Sequence, residues 1–229
     1  MWNKRSTHFD HEGLPAPTLA RIGALRHHAR TAPCSPCSPM QPPLTTPTEI
    51  RHAIWQHLTR ACHDRHHAWR TPVLATASAS AGGGGDVNAR TVVLRAANAA
   101  QQTLTAFTDH RSAKASELAQ NPKALFVFWS DRLRWQLRVR AEVSTRTSGP
   151  EVDAVWQRVQ QSAAAGDYLA PAAPGSPLTQ GEPGLASAAN QHHLAILTAQ
   201  VTEIDWLELG SAGHRRARIG PDSWEWLTP

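Results

Sequence analysis

Cysteine is scarce in this 229-residue chain. Its three copies, Cys34, Cys37 and Cys62, form an odd set, and two of them fall in a Pro/Ser-rich N-terminal stretch. That argues against a disulfide framework and fits a reducing, cytoplasmic setting. No run of about eighteen apolar residues occurs, so no transmembrane helix is expected. Residues 1–30 carry charges and histidines but no apolar h-region, so no secretory signal is expected there. Gly82 to Gly85 are not followed by Gly-Lys-Ser/Thr, which makes them a turn rather than a phosphate-binding P-loop. Cys34-Ser-Pro-Cys37 has no second cysteine pair, and His63 to His67 has no evident fourth ligand, so neither is expected to hold a metal. No Ser-His-Asp or Cys-His arrangement stands out, no internal repeat is visible, and no side chain suggests itself as a catalytic acid or base beyond a weak candidate in His214.

The formal net charge is +5 with a pI near 9.7, which invites a nucleic-acid reading. Its distribution speaks against one. Lys4, Arg5, Arg21, Arg26 and Arg30 outnumber Asp10 and Glu12 in the first 39 residues, leaving a body with 18 basic and 16 acidic groups. A near-neutral body lacks the basic footprint of a duplex binder. Residues 1–45, rich in Pro, Ser, Thr and His, read as a disordered extension. Met40 raises the prospect that residues 1–39 precede the natural start. Residues 46–229 read as one domain.

Order begins at Thr46-Pro47-Thr48-Glu49, a capping box with proline at the first helical position. Ile50, Ile54, Leu58 and Ala61 continue as one apolar stripe, and the helix is predicted to end near His63-Asp64. Strands are predicted over 72–78, 91–96 and 103–108. A helix over 113–120 is stopped by Asn121-Pro122, because the residue before proline avoids the α region. Leu125 to Trp129 reads as an apolar central strand. From Gln136, apolar Leu137, Val139, Ala141 and Val143 alternate with polar neighbours. A second amphipathic helix is expected over 150–162, a long Ala/Pro/Gly loop over 163–190, a strand over 194–206, and a closing hairpin from Arg215 to Ile219 and Trp224 to Leu227. Many short strands with few helices predict a mainly β (α+β) barrel.

Within this frame the positive charges and hydroxyls fall at strand ends and a helix start. Arg90 and Arg95 bracket the strand Thr-Val-Val-Leu. Arg111, Ser112 and Lys114 stand where a strand gives way to a helix, whose free N–H groups and dipole favour an anion. Gln136 offers an amide suited to the edge of a flavin ring. The plainer alternatives stay open: solvated arginines on a half-buried strand, a serine that only caps its helix, and a surface glutamine.

In order and spacing, Arg-x-Val-Val-Leu-Arg, Phe-Thr-Asp-x-Arg-Ser-x-Lys, Glu-Leu-Ala-x-Asn-Pro and Trp-Gln-Leu-Arg-Val-Arg resemble the pyridoxamine 5′-phosphate oxidase family. Asp205-Trp206, then His214-Arg215-Arg216, and the final Trp-x-x-Leu-x-Pro resemble its C-terminal region. The likeness spans roughly residues 48–229 and is nearest to a branch of FMN-binding proteins that carries the Asp-x-Arg-Ser-x-Lys variant. The resemblance implies a split β-barrel with a few flanking helices, forming a homodimer that holds FMN at the interface. It implies that Arg90, Val92, Val93, Leu94 and Arg95 line phosphate and flavin, and that Phe107, Thr108, Arg111, Ser112 and Lys114 hold phosphate and ribityl groups. Gln136, Trp206 and Arg216 are then flavin contacts, some of them from the partner subunit. Trp129, Trp156, Trp206 and Trp226 are expected in the core or the interface, with Trp206 the best of them as a flavin contact.

Several positions depart from that family. Arg95 stands for a lysine, and Ala113 stands where the oxidases have an arginine. Val155 and Val159 replace the Tyr and Arg that grip the substrate phosphate, and Ala212 replaces an arginine. Ala170 to Gly175 replaces a serine-containing FMN segment. The expectation is an FMN-dependent oxidoreductase that keeps its flavin site and has largely lost the vitamin B6 substrate site, with its small-molecule substrate unassigned and with no nucleic-acid or membrane partner. The alternative is a non-enzymatic flavin-binding protein for storage or redox sensing.

Overall fold

Val92 and Val93 decide the shape of the molecule. In this computed structural model, which describes residues 44–78, 85–177 and 191–229, they separate strand β2 (Val87–Thr91) from strand β3 (Leu94–Asn98). The other strands are β1 (Val73–Ala77), β4 (Thr103–Asp109), β5 (Lys123–Ser130), β6 (Trp135–Arg146), β7 (Leu194–Glu208), β8 (Arg215–Ile219) and β9 (Trp224–Leu227). Their order across the sheet is β2-β1-β5-β6-β7-β4-β3, all antiparallel, with β8 and β9 added beyond the C-terminal half of β7. β2 and β3 therefore lie at opposite ends of the ladder, yet Thr91 and Leu94 are three residues apart, a reach of at most about 10 Å. The sheet must curl until its two ends meet. The result is a barrel that is split between β2 and β3, where no ladder joins them.

This corrects the single strand expected over 91–96. The chain leaves β1 for the far side of the barrel at this point, and the Val92 N–H donates to the Pro72 carbonyl at 3.0 Å instead of continuing a ladder. Val92 and Leu94 both enter the core, so Arg90 and Arg95 do not share a strand.

Most other sequence expectations hold. Helix α1 (Pro47–His63) starts at the Thr46 capping box, with Glu49 returning to the Thr46 N–H at 3.0 Å, and it buries Ile50, Ile54, Leu58 and Ala61 together with Trp55. Helix α2 (Ala113–Gln120) has the predicted bounds, and α3 (Pro150–Val159) stops three residues early. β5 is central as expected, but only its even-numbered residues are buried. Trp129 on its other face is 42% exposed. Every described element belongs to one compact unit, Pro43–Pro229. The main core fills the barrel and takes the apolar face of α1. A smaller one joins Val152 and Val155 of α3 to Tyr168, Leu194 and Ile196, with Phe107 against it. Residues 1–43, with the Cys34–Cys37 pair, and residues 79–84 and 178–190 of the expected turn and loop lie outside the described residues.

Trp206 takes the core place that was one of the two expected for it. Its indole is 0% exposed, packed edge-on against Trp135 at 5.4 Å between ring centroids and capped by the Arg215 guanidinium. Inward registry with Leu137 and Ala217 places it in the core, where this chain has no surface to present to a flavin. Trp206→Ala should therefore act on stability, lowering the unfolding free energy by about 3–5 kcal/mol, as read by urea denaturation. A change below about 1 kcal/mol would contradict the core placement.

Candidate functional site

The expected site residues separate into three groups on the barrel. The first lies at the start of α2. Ser112 is the N-cap by position, yet its hydroxyl makes no capping bond. It turns instead to Thr108 Oγ1 at 3.1 Å, and Lys114 Nζ donates to the same Thr108 oxygen at 3.0 Å. The helix start is thus left without a side-chain cap, flanked by two buried hydroxyls and an ammonium group. Burial, and then the nearby charge of Arg90, lower the Lys114 pKa, with Asp109 and Glu117 pulling weakly the other way. An ammonium held this way gains from any anion brought to it.

Arg90 adjoins this group from β2, but its guanidinium already bonds Thr76 Oγ1 and Glu117 Oε2, the latter at 3.1 Å. Asn88 donates to the other Glu117 oxygen at 2.7 Å. Burial pushes the Glu117 carboxyl up, but the bonds from Thr76, Asn88 and Arg90 outweigh it and hold the group below its usual value. Thr76 and Asn88 carried no sequence signal, and Glu117 stood only as the first residue of the Glu-Leu-Ala-x-Asn-Pro motif, because their meeting depends on α2 folding back over β1 and β2.

The second group lies on the outer side of β3 and β4. The Arg95 guanidinium sits over the Phe107 ring, 5.5 Å from its centroid, and its Nε is buried without a partner. Arg111 does not stand free as a phosphate fork. It grips Asp109 through Nε at 3.1 Å and Nη2 at 2.6 Å, and it donates to the carbonyls of Ala170 at 2.8 Å and Pro171 at 3.0 Å. Burial raises the Asp109 pKa, but the Arg111 bonds dominate and leave it lowered.

The third group lies on the outward face of β6 to β8. Gln136 stands in register between Trp129 and Leu207, and Leu207 is in register with Arg216. Arg216 forks onto Asp205 at 3.0 and 2.8 Å, and Arg138 meets the same carboxylate. Burial opposes the charge on Asp205, but the two arginines hold its pKa down. Arg216 and Arg218 face outward while Arg215 and Ala217 turn inward, so the His214–Arg218 run is split between two faces, as its alternation predicts. Of the residues expected to line the flavin, Val92 and Leu94 are core side chains that can offer only backbone, while Val93 is half-buried.

The residues from 63 to 67 hold no metal cluster, and none exists among the described residues. His67 caps the single-turn helix Ala68–Arg70 and meets His57 at 3.4 Å. A hollow of about 500 Å³ lies elsewhere, lined by Ala75, Val87, Lys123, Leu125, Arg140 and Thr202. None of the expected cofactor residues lines it.

The Asp109–Arg111 fork gives a pH prediction. A carboxylate whose folded pKa is depressed adds stability above its unfolded value, near 3.8, and loses it as pH falls through the folded pKa. Asp109→Asn should be less stable than the parent at pH 7, and the gap should close below about pH 4. Chemical denaturation across that range reads the gap, and a gap independent of pH would contradict a charged fork.

Residues 52–147 match the family model of the pyridoxamine 5′-phosphate oxidase, FMN-binding domain. No curated protein matches the chain. Among solved structures, a pyridoxamine 5′-phosphate oxidase-related, FMN binding protein from Nostoc punctiforme shares the fold with a TM-score of 0.63 at 23% identity, over 81% of this chain and 100% of that one. PhzG from Burkholderia lata, solved in complex with tetrahydrophenazine-1-carboxylic acid, gives 0.60 at 17% identity over 78% and 91%. Both show the fold predicted from the sequence. The matched residues hold β1 to β6, α2 and the Arg90–Lys114 segment, so the part of the chain that is similar to the pyridoxamine 5′-phosphate oxidase FMN-binding domain is the part that carries these residues.

Proposed function

We propose that this protein is an FMN-dependent oxidoreductase of cytoplasmic location that works as a homodimer. The observation that carries the cofactor site is the start of α2: uncapped, flanked by the Thr108 and Ser112 hydroxyls, and facing a lysine whose charge burial disfavours. These groups suit a phosphate, which would accept from helix N–H groups and hydroxyls while stabilising the charge on Lys114. The orphaned Nε of Arg95 is a further donor. Thr108, Ser112, Lys114 and Arg95 would hold the phosphate. Arg90 would act through charge, its direct bonds being committed to Thr76 and Glu117. Gln136 and Arg216 would meet the ring system. FMN, when bound, supplies the electron-transfer chemistry, and the chain supplies orientation and electrostatic balance.

The dimer reading rests on the outward face of β1, β2 and β5. Val73 (37% exposed), Val87 (73%) and Trp129 (42%) lie there, beside Ala75, Leu125 and Val127. This strip adjoins Gln136 and Arg138 across the β5–β6 register. A second copy seated on it would cover the apolar strip, the 500 Å³ hollow and the third group together.

The vitamin B6 site is read as largely lost. Val155 is buried in the smaller core and Val159 packs against it, where neither can grip a phosphate.

The test is the purified protein itself. It should be yellow with oxidised-flavin absorbance, release FMN on denaturation, and sediment at twice 25.0 kDa. Lys114→Ala should weaken FMN at least tenfold, about 1.4 kcal/mol, without loss of fold. Accelerated flavin reduction by NAD(P)H would support the enzyme, and a flavin that never turns over would favour a carrier or sensor. A colourless monomer that takes up no FMN would overturn the proposal.

A further inference from the structure

His67 meets His57 of α1 across 3.4 Å, and the hydrogen bonds around the pair fix where each proton sits. The Trp69 N–H donates to His67 Nδ1 at 3.1 Å, so that nitrogen carries no proton. A neutral His67 then holds its proton on Nε2 and donates it to His57 Nδ1. His57 in turn carries its own proton on Nε2. The chain from Trp69 through His67 to His57 is complete only while both rings are neutral. A proton on His67 Nδ1 would face the Trp69 N–H, donor against donor. A proton on His57 Nδ1 would face the His67 N–H in the same way. Either one breaks a link of the chain.

The chain holds Trp69 in place. His67 caps the single-turn helix Ala68–Arg70, where the usual capping residues Asn, Asp, Ser and Thr would not titrate near neutrality. Trp69 is 0% exposed, its ring 5.9 Å from that of Phe128, with His57 edge-on to it at 5.6 Å. Arg70 ties the same turn to α1 through the Cys62 carbonyl at 2.9 Å. Two residues beyond the turn, the Pro72 carbonyl takes the Val92 N–H at the barrel crossing. A hollow of about 210 Å³ between the end of α1 and the β5–β6 turn opens onto both imidazoles. Charges reach the pair from two sides of it: Arg60, Asp64 and His66 from the end of α1 and the turn after it, Asp131 and Arg132 from the β5–β6 turn. Asp64 is engaged by Arg60 at 3.5 Å and by the His66 N–H at 2.9 Å, and Asp131 by Arg134 at 3.3 Å. Burial, then His67 and the charges of Arg132 and Arg60, lower the pKa of His57. Burial and Arg60 lower that of His67, Asp64 pulls the other way, and Arg132 adds to the lowering.

We propose that the His57–His67 pair is a pH-sensitive lock, which docks the Ala68–Arg70 turn and Trp69 on the barrel while neutral and releases them when it takes up one proton. The lock is independent of the cofactor reading above. Its sign follows from linkage. An imidazole whose folded pKa lies below its ordinary 6.5 takes its proton more readily once the turn is released. The docking is therefore intact above that value and is lost as pH falls below it.

Two measurements test this. In the first, hydrogen exchange reads the protection factor of the Trp69 amide from about pH 8 to about pH 5. In the parent it should fall below pH 6.5, by up to about tenfold per pH unit for one linked proton. His67→Asn keeps an oxygen to cap the Trp69 N–H and takes up no proton, so its profile should stay flat. Parallel profiles in the two proteins, flat or sloped, would overturn the proposal. In the second, nitrogen NMR of the imidazoles uses the parent alone. At about pH 8 both rings should be protonated on Nε2 and bare on Nδ1. The pair should take up its first proton below pH 6.5. A proton on His67 Nδ1 in the neutral pair, or a first titration at or above 6.5, would overturn the proposal even were His67→Asn to misfold.

Discussion

The two-residue crossing at Val92–Val93 constrains everything else. Because it ties the first and last strands of the ladder within about 10 Å, it forces curvature on the sheet and encloses the core that Trp206, Leu137 and Phe128 fill. It also divides one sequence motif between two places. Arg90 stays with β1 and faces Glu117 of α2, while Arg95 emerges over β4 beside Phe107 and Tyr168. Side chains five residues apart can thus approach an anion from different parts of the wall.

Charge is distributed with economy across this scaffold. Arg111 is matched by Asp109, Arg138 and Arg216 share Asp205, Arg215 meets Glu208, and Arg90 meets Glu117. Such half-buried pairs fix geometry more than they add stability. Against that pattern Lys114 is different. Its direct hydrogen bond goes to a neutral hydroxyl, and burial works against its charge. A cation without a direct carboxylate partner therefore stands at the start of α2, next to a helix end that its own serine does not cap.

The periodic parts of the chain were legible in the sequence. The capping box at Thr46, the stripe from Ile50 to Ala61, the Asn121-Pro122 stop and the alternation from Leu137 to Val143 all depend on local chemistry and burial on one face. The motif residues could be named for the same reason, since their order along the chain is itself the signal. The failures share a different cause. The crossing at Val92–Val93 looks like an ordinary β-branched strand until the far pairing of β3 with β4 is known. Trp206 reads equally as core or as ligand contact until its inward registry places it against Trp135. Arg111 reads as a free fork because its acidic partner is only two residues away while its carbonyl partners, Ala170 and Pro171, lie about sixty residues downstream.

Anion recognition at the start of α2 is the central claim, and backbone amide NMR of the apoprotein titrated with FMN tests it most directly. The largest shifts should fall on Ser112, Ala113, Lys114 and Ala115, with the Ala113 and Lys114 amides moving downfield as they take up phosphate bonds. Shifts confined to other strands, with these four amides unmoved at saturation, would contradict the account.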